Sequence, residues 1–253
     1  MNFFFCLDDP NIESKLTIPK FQNESNLIKS VQLFSLNIKD NNWILNIAPY
    51  ETDDDFFYIK QKNHIIGSIY FLAKEKEAKK ITKNNIICNI NTLTDTNPAF
   101  RANLEIKNSA GGFSSYQSDY PFSMTKINSG IVSPISILLS KSAEKNTIYF
   151  RNIFFKPIIE NTNYYIINYK QKKILKKGII QSNKTNKINI KSEFINEDNY
   201  FFTSNISGIP IYYYEKNNHI SFEHTHPPHQ YILSDDKYTL VKQFKKKFYD
   251  IIS

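Results

Sequence analysis

The run Ile209-Pro210-Ile211-Tyr212-Tyr213-Tyr214-Glu215-Lys216-Asn217-Asn218-His219-Ile220-Ser221-Phe222-Glu223-His224-Thr225-His226 decides the fold class. Two β-prone arms flank a polar turn, Glu215-Lys216-Asn217-Asn218, which is the pattern of a β-hairpin. In the second arm Ile220, Phe222, His224 and His226 share one face, and Ser221, Glu223 and Thr225 share the other. Pro227 and Pro228 cannot continue a ladder, so the strand is expected to end there. The apolar face therefore runs into two histidines at the rim of a core, with His229 turned back by the Pro-Pro corner.

The same arm–turn–arm pattern spreads outward along the chain. Residues 164–169 and 174–180 flank a lysine-rich turn, and 31–38 and 43–47 flank Lys39-Asp40-Asn41-Asn42. Hairpins are also expected for 56–59 with 64–72, and for 124–127 with 131–132 across Asn128-Ser129-Gly130. Residues 86–93, 147–155, 188–190 and 200–204 read as further strands. Residues 101–107 alternate cleanly, with Ala102, Leu104 and Ile106 inward, as in an antiparallel sheet with one wet face. Only the end changes period. Ser234 or Asp235 can cap a helix, and Leu240, Val241, Phe244, Phe248, Ile251 and Ile252 keep a helical stripe. A short charged segment at 74–80 reads as a tip or short helix.

The expectation is an all-β, antiparallel β-sandwich, one large or two smaller, with a short C-terminal amphipathic helix. An N-terminal arm is assigned to 1–27, one β subdomain to 28–145, and a second, with the helix, to 146–253. The helix is expected to cover the sheet or to meet a protein partner.

A chain of 253 residues, 41% hydrophobic and 15% aromatic, can bury a sizeable core and does not read as disordered. The net charge of +8 favours anionic partners. Arg101 and Arg151 are the only arginines, however, and base or phosphate readout leans on arginine forks, which speaks against a dedicated nucleic-acid reader. Cys6 and Cys88 match no metal or redox spacing. No run reaches the length of a membrane span, and Met1 to Pro10 lacks the parts of a signal peptide, so the default compartment is the cytoplasm. Glu51-Thr52-Asp53-Asp54-Asp55 lacks the spacing of a calcium loop and reads as a solvated turn.

Two stretches carry potential chemistry. Histidines 224, 226 and 229 form the first: His224, His226 and His229 have the residue type and the strand-end spacing to hold a divalent transition metal, Zn, Fe, Ni or Mn. Over these few residues the stretch is similar to the first cupin motif, with Gln230 where a glutamate is expected. The helical reading of the remaining chain leaves no room for a second cupin motif. The second stretch is Asn108-Ser109-Ala110-Gly111-Gly112-Phe113-Ser114-Ser115-Tyr116-Gln117-Ser118-Asp119-Tyr120-Pro121. Two of only six glycines are adjacent here, which marks positive φ or a close backbone approach. Gly111, Gly112, Phe113, Ser115, Tyr116, Gln117, Asp119 and Tyr120 then supply aromatic faces beside short polar groups, a combination that suits a glycan or another polar small molecule.

Three readings follow: a binding or assembly module for a polar ligand such as a glycan, a metal-dependent enzyme using the three histidines, and a structural interaction protein. The first is preferred, because no acid or base partner for the histidines can be named from sequence.

Overall fold

The computed structural model describes residues 2–20, 31–90, 101–127, 129–224 and 233–253. It is mostly β, antiparallel, with a C-terminal helix. In chain order the first strands are β1 (Asn2–Phe3), β2 (Ile12–Pro19), β3 (Gln32–Lys39), β4 (Asn42–Ile47), β5 (Glu51–Thr52), β6 (Phe56–Lys60) and β7 (Ile69–Ala73). Helix α1 (Glu75–Asn84) follows, and then β8 (Asn103–Asn108), β9 (Phe113–Gln117), β10 (Tyr120–Pro121) and β11 (Val132–Pro134). The later strands are β12 (Lys145–Arg151), β13 (Asn161–Asn168), β14 (Lys173–Gln181), β15 (Thr185–Asn189), β16 (Asn199–Thr203), β17 (Ile209–Lys216) and β18 (His219–His224), before helix α2 (Lys237–Ile252).

The turns explain why neighbouring arms pair. Asn217 and Asn218 both adopt positive φ, as do Asp40 and Asn41. Two consecutive left-handed residues make the turn whose twist matches that of paired strands, and Asn and Asp tolerate it best. β17–β18 and β3–β4 therefore form the hairpins expected, as does β13–β14. Two expected hairpins do not form. β6 pairs with β2 and β5, while β7 pairs with β3. Residues Phe122–Lys126 form a short 3₁₀ helix, and β11 pairs with the distant β16. Of the strand expected at 86–93, residues 86–90 are not a strand, and 91–93 lie outside the described residues. In both missing hairpins a plausible local turn loses to longer-range partners that sequence periodicity does not name.

Four larger sheets run β5-β6-β2-β8-β9, β4-β3-β7, β15-β12-β17-β18 and β11-β16-β13-β14, with a small β1-β10 pair. They are arranged as a propeller-like ring rather than a plain two-layer sandwich. The reason lies in β12 and β17, which are apolar on both faces. Ile148, Phe150 and Tyr212 enter one core with Ile166 and Phe201. Tyr149, Ile211 and Tyr213 enter another, with Leu16, Leu104 and Phe5 of the first half. A sandwich leaves each sheet one wet face, whereas this sheet is covered on both and needs layers on either side. Trp43 is buried in the first core, and its indole N–H donates to the Phe155 carbonyl at 3.2 Å.

Helix α2 closes the outer side of β11-β16-β13-β14. Phe248 is fully buried against Tyr165, Ile167 and Phe202, with Phe244, Ile251 and Ile252 beside it. The apolar stripe read from sequence thus seals the sheet, while Tyr238 and Leu240 at the start of the helix stay exposed.

Candidate functional site

The two stretches singled out in the sequence meet. β9 is the edge strand of its sheet, β18 is the edge strand of another, and the two lie against each other. The junction begins at their turns. Gly111 has φ of +87°, and an added Cβ at Gly112 would lie 2.2 Å from the Asn218 carbonyl oxygen. The Asn108 side chain donates to Glu215 Oε1 at 2.7 Å and accepts from the Gly112 N–H at 2.7 Å. One glycine thus serves positive φ and the other a close approach between hairpins. Gly112→Ala should therefore cost about 1–3 kcal/mol through overpacking. Gly111→Ala meets no atom and should cost only the left-handed strain, about 1–2 kcal/mol. Chemical denaturation checks both, and amide spectra of Gly112→Ala should show residues 215–218 displaced.

Alternation then splits the stretch in two. Phe113, Ser115 and Gln117 point outward and are exposed, and Gln117 accepts from Arg101 at 3.0 Å. Tyr116 points inward and is 3% exposed. Its ring meets Phe222 edge-on at 5.6 Å and His224 edge-on at 4.9 Å between centroids. The expected face of β18 is thereby observed, since Phe222 and His224 share this contact. Glu223, on the opposite face, reaches round: the His224 ring Nδ1 donates to Glu223 Oε1 at 2.9 Å. Tyr120 is fully buried beside Phe3 of β1 and away from the surface. His226 and His229 lie outside the described residues. Among the described residues no group of three or more His, Cys, Asp or Glu could hold a metal ion.

The electrostatics of the junction are unusual. Asp119 is half-buried, and burial pushes its carboxyl up to about 7, against the opposing pull of the Arg101 charge and a backbone hydrogen bond from Ala102. The Tyr116 hydroxyl is pushed well above its ordinary value by burial and by the Asp119 and Glu223 charges. Among the described residues neither the Tyr116 hydroxyl nor Asp119 Oδ2 has a hydrogen-bond partner, although both atoms are buried. Each such atom forfeits water without a replacement, at a cost of about 1–3 kcal/mol.

Sequence reasoning missed a second polar cluster, deeper in the molecule. Arg151 is 1% exposed, with its guanidinium over the Phe5 ring at 5.6 Å and Nη1 donating to Thr185 at 3.2 Å. Asp8 faces it, accepting from His64 Nε2 at 2.7 Å and from the Gly67 N–H at 3.0 Å, while His64 Nδ1 lies 2.8 Å from the Tyr70 hydroxyl. Burial pushes the Asp8 carboxyl up, but the His64 bond and the Arg151 charge outweigh it and hold it below the ordinary value. The neighbouring Asp9 accepts from the Tyr149 hydroxyl at 2.5 Å and pairs with Lys187 at 2.6 Å. Burial pushes the Cys6 thiol up, so it is no nucleophile. Packed against the first core, with Arg151 and Tyr149 buried and Lys187 at the surface, this cluster anchors the N-terminal segment. The signal in the sequence was an arginine in the run Ile148-Tyr149-Phe150-Arg151, on the inward face with Tyr149.

No protein-family model, curated protein or solved structure matches this chain. Among the described residues no helix is long and apolar enough to cross a membrane.

Proposed function

We propose that the chain is a binding module for a polar small molecule such as a glycan, and that the ligand sits where β9 meets the end of β18. The observation that carries this reading is a pair of buried atoms without a partner among the described residues, the Tyr116 hydroxyl and Asp119 Oδ2, in the part of the fold where the two stretches converge. A ligand with hydroxyl groups supplies what both lack: a donor to the carboxylate and an acceptor for the phenol. Arg101, whose charge acts on both Tyr116 and Asp119, adds a donor fork, and Glu223, whose charge acts on Tyr116, adds a second carboxylate. Beneath it Tyr116 and Phe222 pack edge-on at 5.6 Å, which fixes the direction of the phenol.

The test is a glycan array probed with the full chain and with two near-isosteric variants. Tyr116→Phe and Asp119→Asn should each weaken binding about 10-fold or more, because each removes a buried partner of the ligand. Phe113→Ala, on the outward face, should leave binding unchanged. Equal binding by all four proteins would end this reading.

A specific contact also supports a metal at the strand end. Ligand histidines are held by a carboxylate on their other ring nitrogen, and Glu223 holds His224 in this way. In this second reading His224, His226 and His229 bind a divalent transition metal, the basis of a metal-dependent enzyme. Metal analysis of untagged protein, with His224→Ala alongside, tests it.

A further inference from the structure

We infer that the face carrying α2 is a docking surface for the anionic headgroups of a lipid bilayer. Its centre is a groove of about 590 Å³ between the β13–β14 turn and the helix, lined by Tyr169, Lys170, Lys172, Lys247, Asp250 and Ile251. The groove is built on rigid parts. The Asn168 side chain accepts from the Gln171 N–H at 2.8 Å and fixes the turn, and Lys172 takes the left-handed conformation, φ 51°. Tyr169 stacks on Phe248 at 5.4 Å, and the Lys247 ammonium lies 5.8 Å from the centroid of the Tyr169 ring.

The edge strand β14 extends the surface. Register places Ile174 opposite Ile167, Lys177 opposite Tyr165 and Ile179 opposite Asn163, so all three share the face that α2 covers. Ile174 is 36% exposed and Ile179 is 67% exposed. Lys170, Lys172, Lys177 and Lys247 are exposed, and none of them is in an ion pair among the described residues. Among the described residues that line the groove, Asp250 is the one acid.

The chemistry distinguishes lipid from nucleic acid. Lysine ammonium groups act as point charges that collect at an anionic surface, whereas nucleic-acid recognition relies on arginine forks and exposed aromatic platforms. This chain has two arginines, one of them buried, and at the groove the Tyr169 ring is already packed against Phe244 and Phe248. What it offers beside the lysines is aliphatic, Ile174 and Ile179, which suits the boundary between headgroups and acyl chains.

The test is co-sedimentation of the full chain with vesicles of phosphatidylcholine alone and of phosphatidylcholine mixed with phosphatidylserine. The chain should sediment with the mixed vesicles only, and salt raised from about 0.1 M to about 0.5 M should release it. Combining Lys170→Glu, Lys172→Glu and Lys247→Glu should reduce the bound fraction about tenfold, and Asp250→Asn should raise it. Lys76→Glu, Lys79→Glu and Lys83→Glu on α1 change the net charge equally and should leave binding in place. All these positions are exposed, and thermal melts confirm that each variant folds. Failure to sediment with the mixed vesicles would overturn the inference. So would equal losses from the two triple variants, or tighter binding to a single-stranded oligonucleotide than to the vesicles.

Discussion

Arg151→Ala is expected to lower the free energy of unfolding by about 3–5 kcal/mol, the usual effect of removing one member of a buried charge cluster. The substitution leaves Asp8 facing the core without its cation and leaves the Thr185 hydroxyl without its donor. It also opens a void beside Phe5. Urea denaturation of the variant and the parent chain measures the difference. Lys60→Ala removes a solvent-screened surface pair with Glu51 and should leave the denaturation midpoint nearly unchanged. A similar cost for both would show that the cluster does not anchor the fold. The same cluster sets an acid limit. The Asp8 carboxyl is depressed in the folded chain, so its contribution is present above the ordinary carboxylate range and is lost as pH falls through its lowered pKa.

Asp119→Asn should act in the opposite direction. The carboxyl is raised from 3.8 to about 7, so the folded state holds its proton more tightly than the unfolded state does. Stability linked to this group is present below 3.8 and is lost as pH rises through about 7. At pH 8 the ionised Asp119 therefore opposes folding, and the amide should be more stable than the parent by roughly 2–4 kcal/mol. At pH 4 the two proteins should nearly coincide. Denaturation midpoints across this range decide it, and parallel curves for the two proteins would remove Asp119 as the titrating group. A site that sacrifices stability at neutral pH to keep a buried carboxylate is the kind that ligand binding relieves.

Much of this architecture was legible in the residues. The alternation of Ala102, Leu104 and Ile106 gave the buried face of β8, and the asparagine pair at 217–218 gave the β17–β18 turn. The adjacent glycines marked a real constraint, met once by dihedral angle and once by the Asn218 carbonyl. What could not be read was the pairing between distant strands. β2, which belongs to the stretch assigned to an arm, lies between β6 and β8 inside its sheet, and its partners are set by long-range burial that a local pattern does not encode. The ring arrangement follows from β12 and β17 being apolar on both faces, a pattern that periodicity alone does not distinguish from a strongly β-prone run. At the site, alternation separated Phe113, Ser115 and Gln117 from Tyr116, and this strand pattern was present in the sequence. The convergence of Tyr116 on His224 was not, because it depends on two edge strands of different sheets meeting.

The central claim, one ligand site made by β9 and the end of β18, is tested most directly by amide chemical shifts of the full chain titrated with the best-binding glycan from the array. The account predicts saturable shifts centred on Arg101, Tyr116, Asp119, Glu223 and His224, with Asp119→Asn moving the midpoint to about 10-fold higher ligand or beyond. Shifts centred instead on Phe113, Lys107 and Glu105, on the outward face of the five-stranded sheet, would contradict it. So would an array on which no glycan binds.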